Sequence, residues 1–459
     1  MPFAAIDPTR VKELTEREEA RLDASTQASR AMYERARQHL SGGVASSYQL
    51  RDPWPIYVDR GEGCKVWDVD GNERFDFHNG FGSMVQGHAN PIIAKALAER
   101  YAKGSHFGCA VEEIVDVSTE LARRWNLPKW RFVNSGSEAT MDAIRIARAY
   151  TGRDTVMKIF GSYHGHHDTV MVSIGNPVDI DWSDRNNLPS IPYGAGIPAA
   201  TVAMTVPVPF NDAAAMEARI KTLDAQGKKP ACVIMEAALM NLGIVLPEPG
   251  YLEAVREITQ RYGIVLIFDE VKTGLTMAAG GATEKFGVHS DLVTMAKSLG
   301  GGLPTGAIGG TDEVMSVVED HSVYQVGTYS GNPLAMATAY ASLTKVLTPE
   351  AYVWLNHLSD RIENGCNEVL RKYGLPGYAV STAAKGCVTF AEGKVRDYES
   401  YIKYQNVAVT ELGYMWNMNR GIFMTPGREE EWTLSVAHTD EAIDTYIQAL
   451  DEMAYELTK

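Results

Sequence analysis

From about Asn90 onward the chain alternates helical segments with short apolar runs, and that rhythm restricts the fold more than any other feature. ATMDAIRIARAY (139–150) and YLEAVREITQRY (251–262) have helical spacing, while TVMKIF (155–160), ACVIMEA (231–237) and GIVLIFDEV (263–271) read as strands. Unbroken apolar strands are covered on both faces, and parallel strands need helical crossovers to join them. The expectation is an α/β fold with a large, mostly parallel sheet and helices on both faces. At 459 residues the chain suits two lobes.

The flanks look different. Residues 15–40 read as a polar amphipathic helix stopped by Gly42-Gly43. Two alternating runs flank Asp70-Gly71, a hairpin signal that implies a small antiparallel sheet. A long helix, NPLAMATAYASLTKVL, begins at Asn332, and DEAIDTYIQALDEMAYELT closes the chain. The expected organisation is 1–90 for the N-terminal helix and a small-domain segment, 91–330 for the large domain, and 331–459 for a second α/β small-domain segment. The aperiodic stretch from Asn176 to Thr201 is long enough to suggest a functional loop.

A net charge of -15 with no basic block argues against nucleic acid or an anionic membrane as partner and leaves small molecules. Five scattered cysteines without a CxxC pair suit reduced thiols in the cytoplasm. The first twenty residues carry no apolar core of a secretory signal.

Three segments carry candidate chemistry. In GIVLIFDEV an apolar strand delivers Asp269 and Glu270 to its carboxyl end, where open α/β sheets place their ligands. A carboxylate there either caps a helix or holds a cationic ring nitrogen. Lys297 follows 28 residues later, inside TMAKSLGGGLPTGAIGG, with six glycines in seventeen residues. A desolvated lysine becomes a nucleophile able to form a Schiff base, and glycines let backbone approach a flat cofactor. Aspartate for a pyridinium and lysine for an aldehyde together match pyridoxal 5'-phosphate (PLP). In VNSGSEAT, Asn134, Ser135, Gly136 and Ser137 open a helix, which makes either a cap or an anion cradle. GSYHGHHD brings His164, His166, His167 and Asp168 close in sequence. Neighbouring histidines on a loop converge poorly on one ion, so Tyr163 stacked on a ring with His164 beside it is the better reading. A metal-dependent hydrolase built on those histidines is the alternative from another class.

The motifs VNSGSEATMDAIRIARAYTGR, GSYHGHHD, PFNDAAAM, LIFDEVKTG, SLGGGLPTGAIGG, GTYSGNPLAMA and SVAHTDEAID, in this order, resemble the class III PLP-dependent aminotransferases. Within them the set is most similar to the glutamate-1-semialdehyde 2,1-aminomutases. The resemblance implies fold type I, the aspartate aminotransferase-like architecture, in a homodimer with shared active sites. It implies that Lys297 bonds to the cofactor aldehyde and moves the proton, and that Asp269 keeps the ring nitrogen protonated. Tyr163 and Val271 would cover the two ring faces. Ser135, Gly136 and Ser137 would hold the phosphate with Thr328 of the neighbouring subunit. Asn241 would reach the ring hydroxyl, with Glu236 just before it.

The chain also departs from that branch. Where the resemblance expects an arginine for the substrate carboxylate, ungapped counting through SGGVASSYQLRDPW arrives at Gln49, and Arg51 shares its face on an extended segment. A neutral amide is a poor replacement for a bidentate guanidinium. Glu236-Ala237 stands for an expected Glu-Pro, DEVKTGLT for DEVMTGFR, and Asn176 for a loop serine. Glu430 aligns with a glutamate for the substrate amine, beside a foreign Arg428 and Glu429. The expectation is therefore transamination from an amine or a β/ω-amino acid to a keto acid such as pyruvate. Arg51 and Arg428 are candidates for the acceptor carboxylate, and the aminomutase is the alternative.

Overall fold

The computed structural model describes residues 6–175, 180–425 and 431–459. Asn176, Arg428, Glu429 and Glu430 lie outside them. The chain divides into two compact units.

The larger unit spans Ile92–Pro349 and Val395–Lys403. Its seven-stranded sheet has the order Lys129–Val133, Gly306–Gly310, Leu292–Met295, Val265–Asp269, Cys232–Met235, Val156–Ile159, Thr205–Val208. The last five run parallel to their neighbours, and only Gly306–Gly310 is antiparallel, to both strands beside it. The apolar runs from TVMKIF, ACVIMEA and GIVLIFDEV all lie in the parallel part, buried along their length. Helix Gly136–Thr151 contributes Ile144 and Ile146 to the core cluster that takes Val156, Ile234, Ile267 and Leu292 from the sheet.

The strand GAIGG was not legible as one, because glycine weakens a strand interior. Its glycines answer to close neighbours. A Cβ on Gly309 would lie 2.6 Å from the Trp130 ring, and one on Gly310 would lie 2.5 Å from Leu292. Gly306 faces the Ser135 carbonyl at 2.8 Å on the same test. These three therefore make room for side chains and backbone across the sheet. This corrects the expectation that the whole glycine run serves cofactor access.

The two acids at the end of Val265–Asp269 part ways. Glu270 turns into the core and accepts hydrogen bonds from the Ala282 and Thr283 amides (2.7 and 2.9 Å), the Thr273 and Thr283 hydroxyls, and Trp125 Nε1 at 3.1 Å. It caps the start of Gly281–Phe286. Only Asp269 is left for chemistry.

Residues 331–349 belong to this unit, not to the C-terminal segment as expected. Asn332 caps the helix Pro333–Ala341, which packs on Glu112–Trp125. The loop after Asn176 is held by Arg185, whose guanidinium reaches Asp212 at 3.0 Å, Asp397 at 2.8 Å and Glu399. That arginine explains why 395–403 joins the larger unit.

The other unit comprises the described residues of Met1–Pro91, Glu350–Lys394 and Tyr404–Lys459. The expected hairpin at Asp70-Gly71 joins Lys65–Asp68 to Glu73–Asp76 in a four-stranded sheet with Val58–Glu62 and Ile422–Phe423. A three-stranded sheet, Tyr378–Thr382, Lys385–Thr389 and Glu431–Thr433, stands beside it. The N-terminal helix is two helices, Pro8–Ala24 and Gln27–Ala36. Thr26 breaks it: the buried hydroxyl donates to the Leu22 carbonyl (2.8 Å) and accepts from Trp54 Nε1 (3.0 Å), and its φ of -130° leaves the helical region. Helical periodicity does not register such a tether. Among the described residues no helix is long and apolar enough to cross a membrane.

In this unit His438 is buried, packed edge-on against Phe77, and its Nδ1 accepts the Ser435 amide at 3.0 Å. Burial pulls its pKa down from 6.5 to about 4. The unfolded chain therefore takes this proton first, and the stability present above about 6.5 is lost as pH falls toward 4, roughly 3 kcal/mol at full protonation. Denaturation midpoints of the wild type should drop over that window, and His438→Gln should flatten the slope; parallel profiles would contradict this.

Candidate active site

The site is built where strands of the larger unit end. Asp269 and Thr294 are register partners on adjacent strands, and Lys297 follows three residues after Thr294. Lys297 has φ of +49°, in the left-handed region that non-glycine residues rarely adopt, and it opens the short turn Lys297–Gly300. Strain of this kind gathers where a side chain must be aimed. The turn is anchored by the Ser298 hydroxyl on the Gly274 carbonyl, 2.8 Å away.

Asp269 is only 3% exposed. Its Oδ1 accepts from the Val271 amide (3.0 Å) and the Thr294 hydroxyl (3.1 Å), and its Oδ2 meets His164 Nδ1 at 2.7 Å. A carboxylate offers about four acceptor positions, so three bonds orient it without exhausting it. His164 is buried as well, and burial holds its pKa below the usual value against the pull of Asp269. The imidazole and the carboxylate are thus held against each other, both away from water.

Four segments distant in sequence come together here. Ser135 caps helix Gly136–Thr151 by accepting the Glu138 amide at 3.2 Å. A Cβ on Gly136 would lie 3.0 Å from both Val271 methyl groups and 3.5 Å from Ala296. One on Gly165 would lie 2.6 Å from the Ser137 hydroxyl, which also accepts the His166 amide at 3.2 Å. The helix start, the Tyr163-His164 loop, the aspartate strand and the approach to Lys297 thus close on one another, tightly at Gly136 and with no room for a side chain at Gly165. Glu236 follows the strand Cys232–Met235 and is buried, and Asn241 Nδ2 donates to its Oε2 at 3.2 Å. Thr328 lies on an exposed stretch that includes Tyr324, Val326 and Tyr329, and a Cβ on the adjacent Gly327 would lie 3.7 Å from Asn134 Nδ2, at the start of the Ser135 helix.

The model of aminotransferase class III matches residues 47–380. The chain belongs to the class III aminotransferases. It is 38% identical over 427 residues to glutamate-1-semialdehyde 2,1-aminomutase 2 of Brevibacillus brevis, covering 91% of this chain and 96% of that one. Among solved structures it is similar to an omega-transaminase from Sphaerobacter thermophilus, with TM-score 0.87 and 33% identity over 94% and 98% of the two chains. A glutamate-1-semialdehyde-aminomutase from Pseudomonas aeruginosa PAO1 in complex with PMP has TM-score 0.90 at 27% identity, over 99% and 100%.

Class III aminotransferases are PLP enzymes, and the residues of this aminotransferase fit the cofactor. A carboxylate buried yet short of its full complement of donors suits a protonated ring nitrogen. A helix start narrowed by Gly136 suits a phosphate against backbone. An amine on a strained turn suits an aldehyde.

The histidine cluster does not assemble. His164 is committed to Asp269, His166 is exposed, and His167 Nε2 lies 3.2 Å from the Thr140 hydroxyl, its pKa brought down to about 4 by burial. Among the described residues no group of three His, Cys, Asp or Glu could hold a metal.

The two substrate candidates in the other unit, Gln49 and Arg51, have local partners. Gln49 accepts the amides of Ala45 (3.1 Å) and Ser46 (3.3 Å) within its own turn. Arg51 is mostly buried, donating to Asp23 at 3.3 Å and to the Trp54 carbonyl at 3.2 Å.

Sequence reasoning missed two buried lysines of the larger unit. Lys272 donates to the Met240 carbonyl at 2.5 Å, next to Asn241. Lys158, in the strand Val156–Ile159, is fully buried and donates to the Ser162 carbonyl at 2.9 Å and the Val172 carbonyl at 2.8 Å. A lysine inside TVMKIF was the available signal.

Lys297→Ala should abolish turnover while the protein still folds. Asp269→Asn keeps the shape but loses the charge opposite the ring nitrogen, and should lower kcat by roughly a hundredfold or more. Treatment with a chelator should change neither. A Lys297→Ala variant that turns over at the wild-type rate would overturn the site.

Proposed function

We propose that this aminotransferase moves the amino group of an amine or a β/ω-amino acid onto a keto acid such as pyruvate, in two half-reactions at one site. PLP supplies an aldehyde that carries the amino group between them and a protonated ring that accepts electron density. Lys297 takes the proton from the carbon bearing the amine and returns it on the cofactor side. Asp269, oriented by His164, Thr294 and the Val271 amide, holds the proton on the ring nitrogen. Ser135, Gly136 and Ser137 hold the phosphate, Tyr163 and Val271 cover the ring faces, and Asn241 with Glu236 serves the ring hydroxyl. Asn176, Arg428 and Glu430 remain candidates for the substrate.

One observation carries the choice of amine. Gln49 stands where an arginine for a substrate carboxylate is expected, and it caps its own turn, while Arg51 is paired with Asp23. That supports an amine that presents no carboxylate to this segment. The omega-transaminase from Sphaerobacter thermophilus is in keeping with it. The second reading is glutamate-1-semialdehyde 2,1-aminomutase, and the names of the curated relatives favour it over the first.

The working unit in this proposal is a homodimer in the cytoplasm. Tyr324, Val326 and Tyr329 are 80%, 63% and 60% exposed around Thr328, and Tyr329 lies 4.9 Å from the His106 ring beside exposed Phe107. Such an apolar patch suits a second copy of the chain, whose cradle Thr328 would complete. Light scattering should report a dimer, and Tyr324→Glu with Tyr329→Glu should weaken both dimer and cofactor retention. A monomer that retains PLP contradicts this.

The deciding experiment is an absorbance spectrum of purified holoenzyme with (S)-1-phenylethylamine and no acceptor. Conversion to the amine form of the cofactor, reversed by pyruvate, supports the transaminase. No change with that amine, but conversion by glutamate-1-semialdehyde, establishes the aminomutase.

A further inference from the structure

We infer that Lys158 is a positioning residue for the cofactor's aspartate, acting through Ser162 and His164. Three contacts, joined through Ser162 itself, connect the amine to the aspartate: Lys158 Nζ donates to the Ser162 carbonyl at 2.9 Å, the Ser162 hydroxyl lies 2.9 Å from His164 Nε2, and His164 Nδ1 lies 2.7 Å from Asp269 Oδ2. The same Nζ donates to Val172 at 2.8 Å. One amine therefore ties the beginning of the Tyr163-His164 loop to its far end.

The position is costly. Lys158 is fully buried in a parallel strand, and an ammonium taken out of water is unfavourable unless partners replace its hydration. Desolvation pulls its pKa down to about 7, with Glu236 opposing. Two carbonyl acceptors suit it in either state, since a neutral amine still has two hydrogens to donate. A leucine would pack in such a strand at no electrostatic cost, so the amine is explained by what it holds.

The loop has an unusual backbone and shares its anchoring with other contacts: the Gly161 amide donates to the Ser173 carbonyl at 2.9 Å, and the Thr140 hydroxyl donates to the His164 carbonyl at 2.6 Å. Gly161 and Gly165 both have positive φ, at +90° and +100°, and Ser173 has φ of +50°. The Ser162 hydroxyl lies 2.7 Å from the Ile159 carbonyl and 2.9 Å from His164 Nε2, and its single hydrogen serves one of them at a time. Without the amine, two buried carbonyls lose a donor, and relaxation of the loop shifts His164 away from Asp269. A less well-oriented carboxylate holds the ring-nitrogen proton more weakly. The ring then withdraws less charge, and the proton on the Lys297–cofactor linkage is held more tightly.

This proposal stands on the cofactor and not on which amine the enzyme takes, so its test uses no substrate. Lys158→Met keeps length and removes the donors. Its apoprotein should bind PLP roughly tenfold more weakly or worse, and the visible band of the bound cofactor should titrate at higher pH. Ser162→Ala, which removes only the hydroxyl facing His164, should move both readouts in the same direction by less. Adding Lys158→Met to His164→Asn should cost less than it does alone, because both act on one carboxylate. A folded Lys158→Met protein with unchanged PLP affinity and titration overturns the proposal, even if its apoprotein melts lower, because that is packing alone. If Lys158→Met does not fold, Ser162→Ala decides: unchanged affinity and titration overturn the relay.

Discussion

The grip on Asp269, a carboxylate only 3% exposed, is the constraint on which the rest of the larger unit depends. Its partners come from three different segments: an amide two residues on, a hydroxyl from the next strand, and an imidazole from the loop after Val156–Ile159. Each requires its element to be in register. The parallel pairing that places Thr294 opposite Asp269 is also what brings Lys297 to the same edge. Sheet order, loop geometry and cofactor chemistry are one requirement seen at three scales.

Glycine does two separate jobs around this edge. Gly136 and Gly165 let the helix start, the Val271 side chain and the Tyr163-His164 loop close on one another. Gly306, Gly309 and Gly310 let an antiparallel strand slip between Lys129–Val133 and Leu292–Met295 under the Trp130 ring. In the sequence both groups look like room left for a ligand. The difference lies in what a Cβ would strike, which depends on segments far away in the chain.

Adjacent acids make the same point more sharply. Asp269 and Glu270 have the same charge and follow the same apolar run. Successive strand residues point to opposite sides, so one enters the crevice and the other the core. Glu270 is satisfied there by donors from helix amides and Trp125 rather than by a cofactor. Function at this strand end is decided by one residue of register.

What the sequence determined by itself was the alternating α/β plan, the buried parallel strands, the hairpin at Asp70-Gly71 and the ordered motifs around Ser135, Asp269 and Lys297. These rest on local periodicity and on residue types whose chemistry is narrow. Tertiary structure alone decided where long-range partners intervene. Thr26 breaks the first helix because Trp54 reaches it, Arg51 is drawn to Asp23, residues 395–403 follow Arg185, and Lys158 is buried beneath the Tyr163-His164 loop. No spacing rule records such pairs. Hydrogen bonds and ion pairs between residues tens to hundreds of positions apart exist only once the chain has folded.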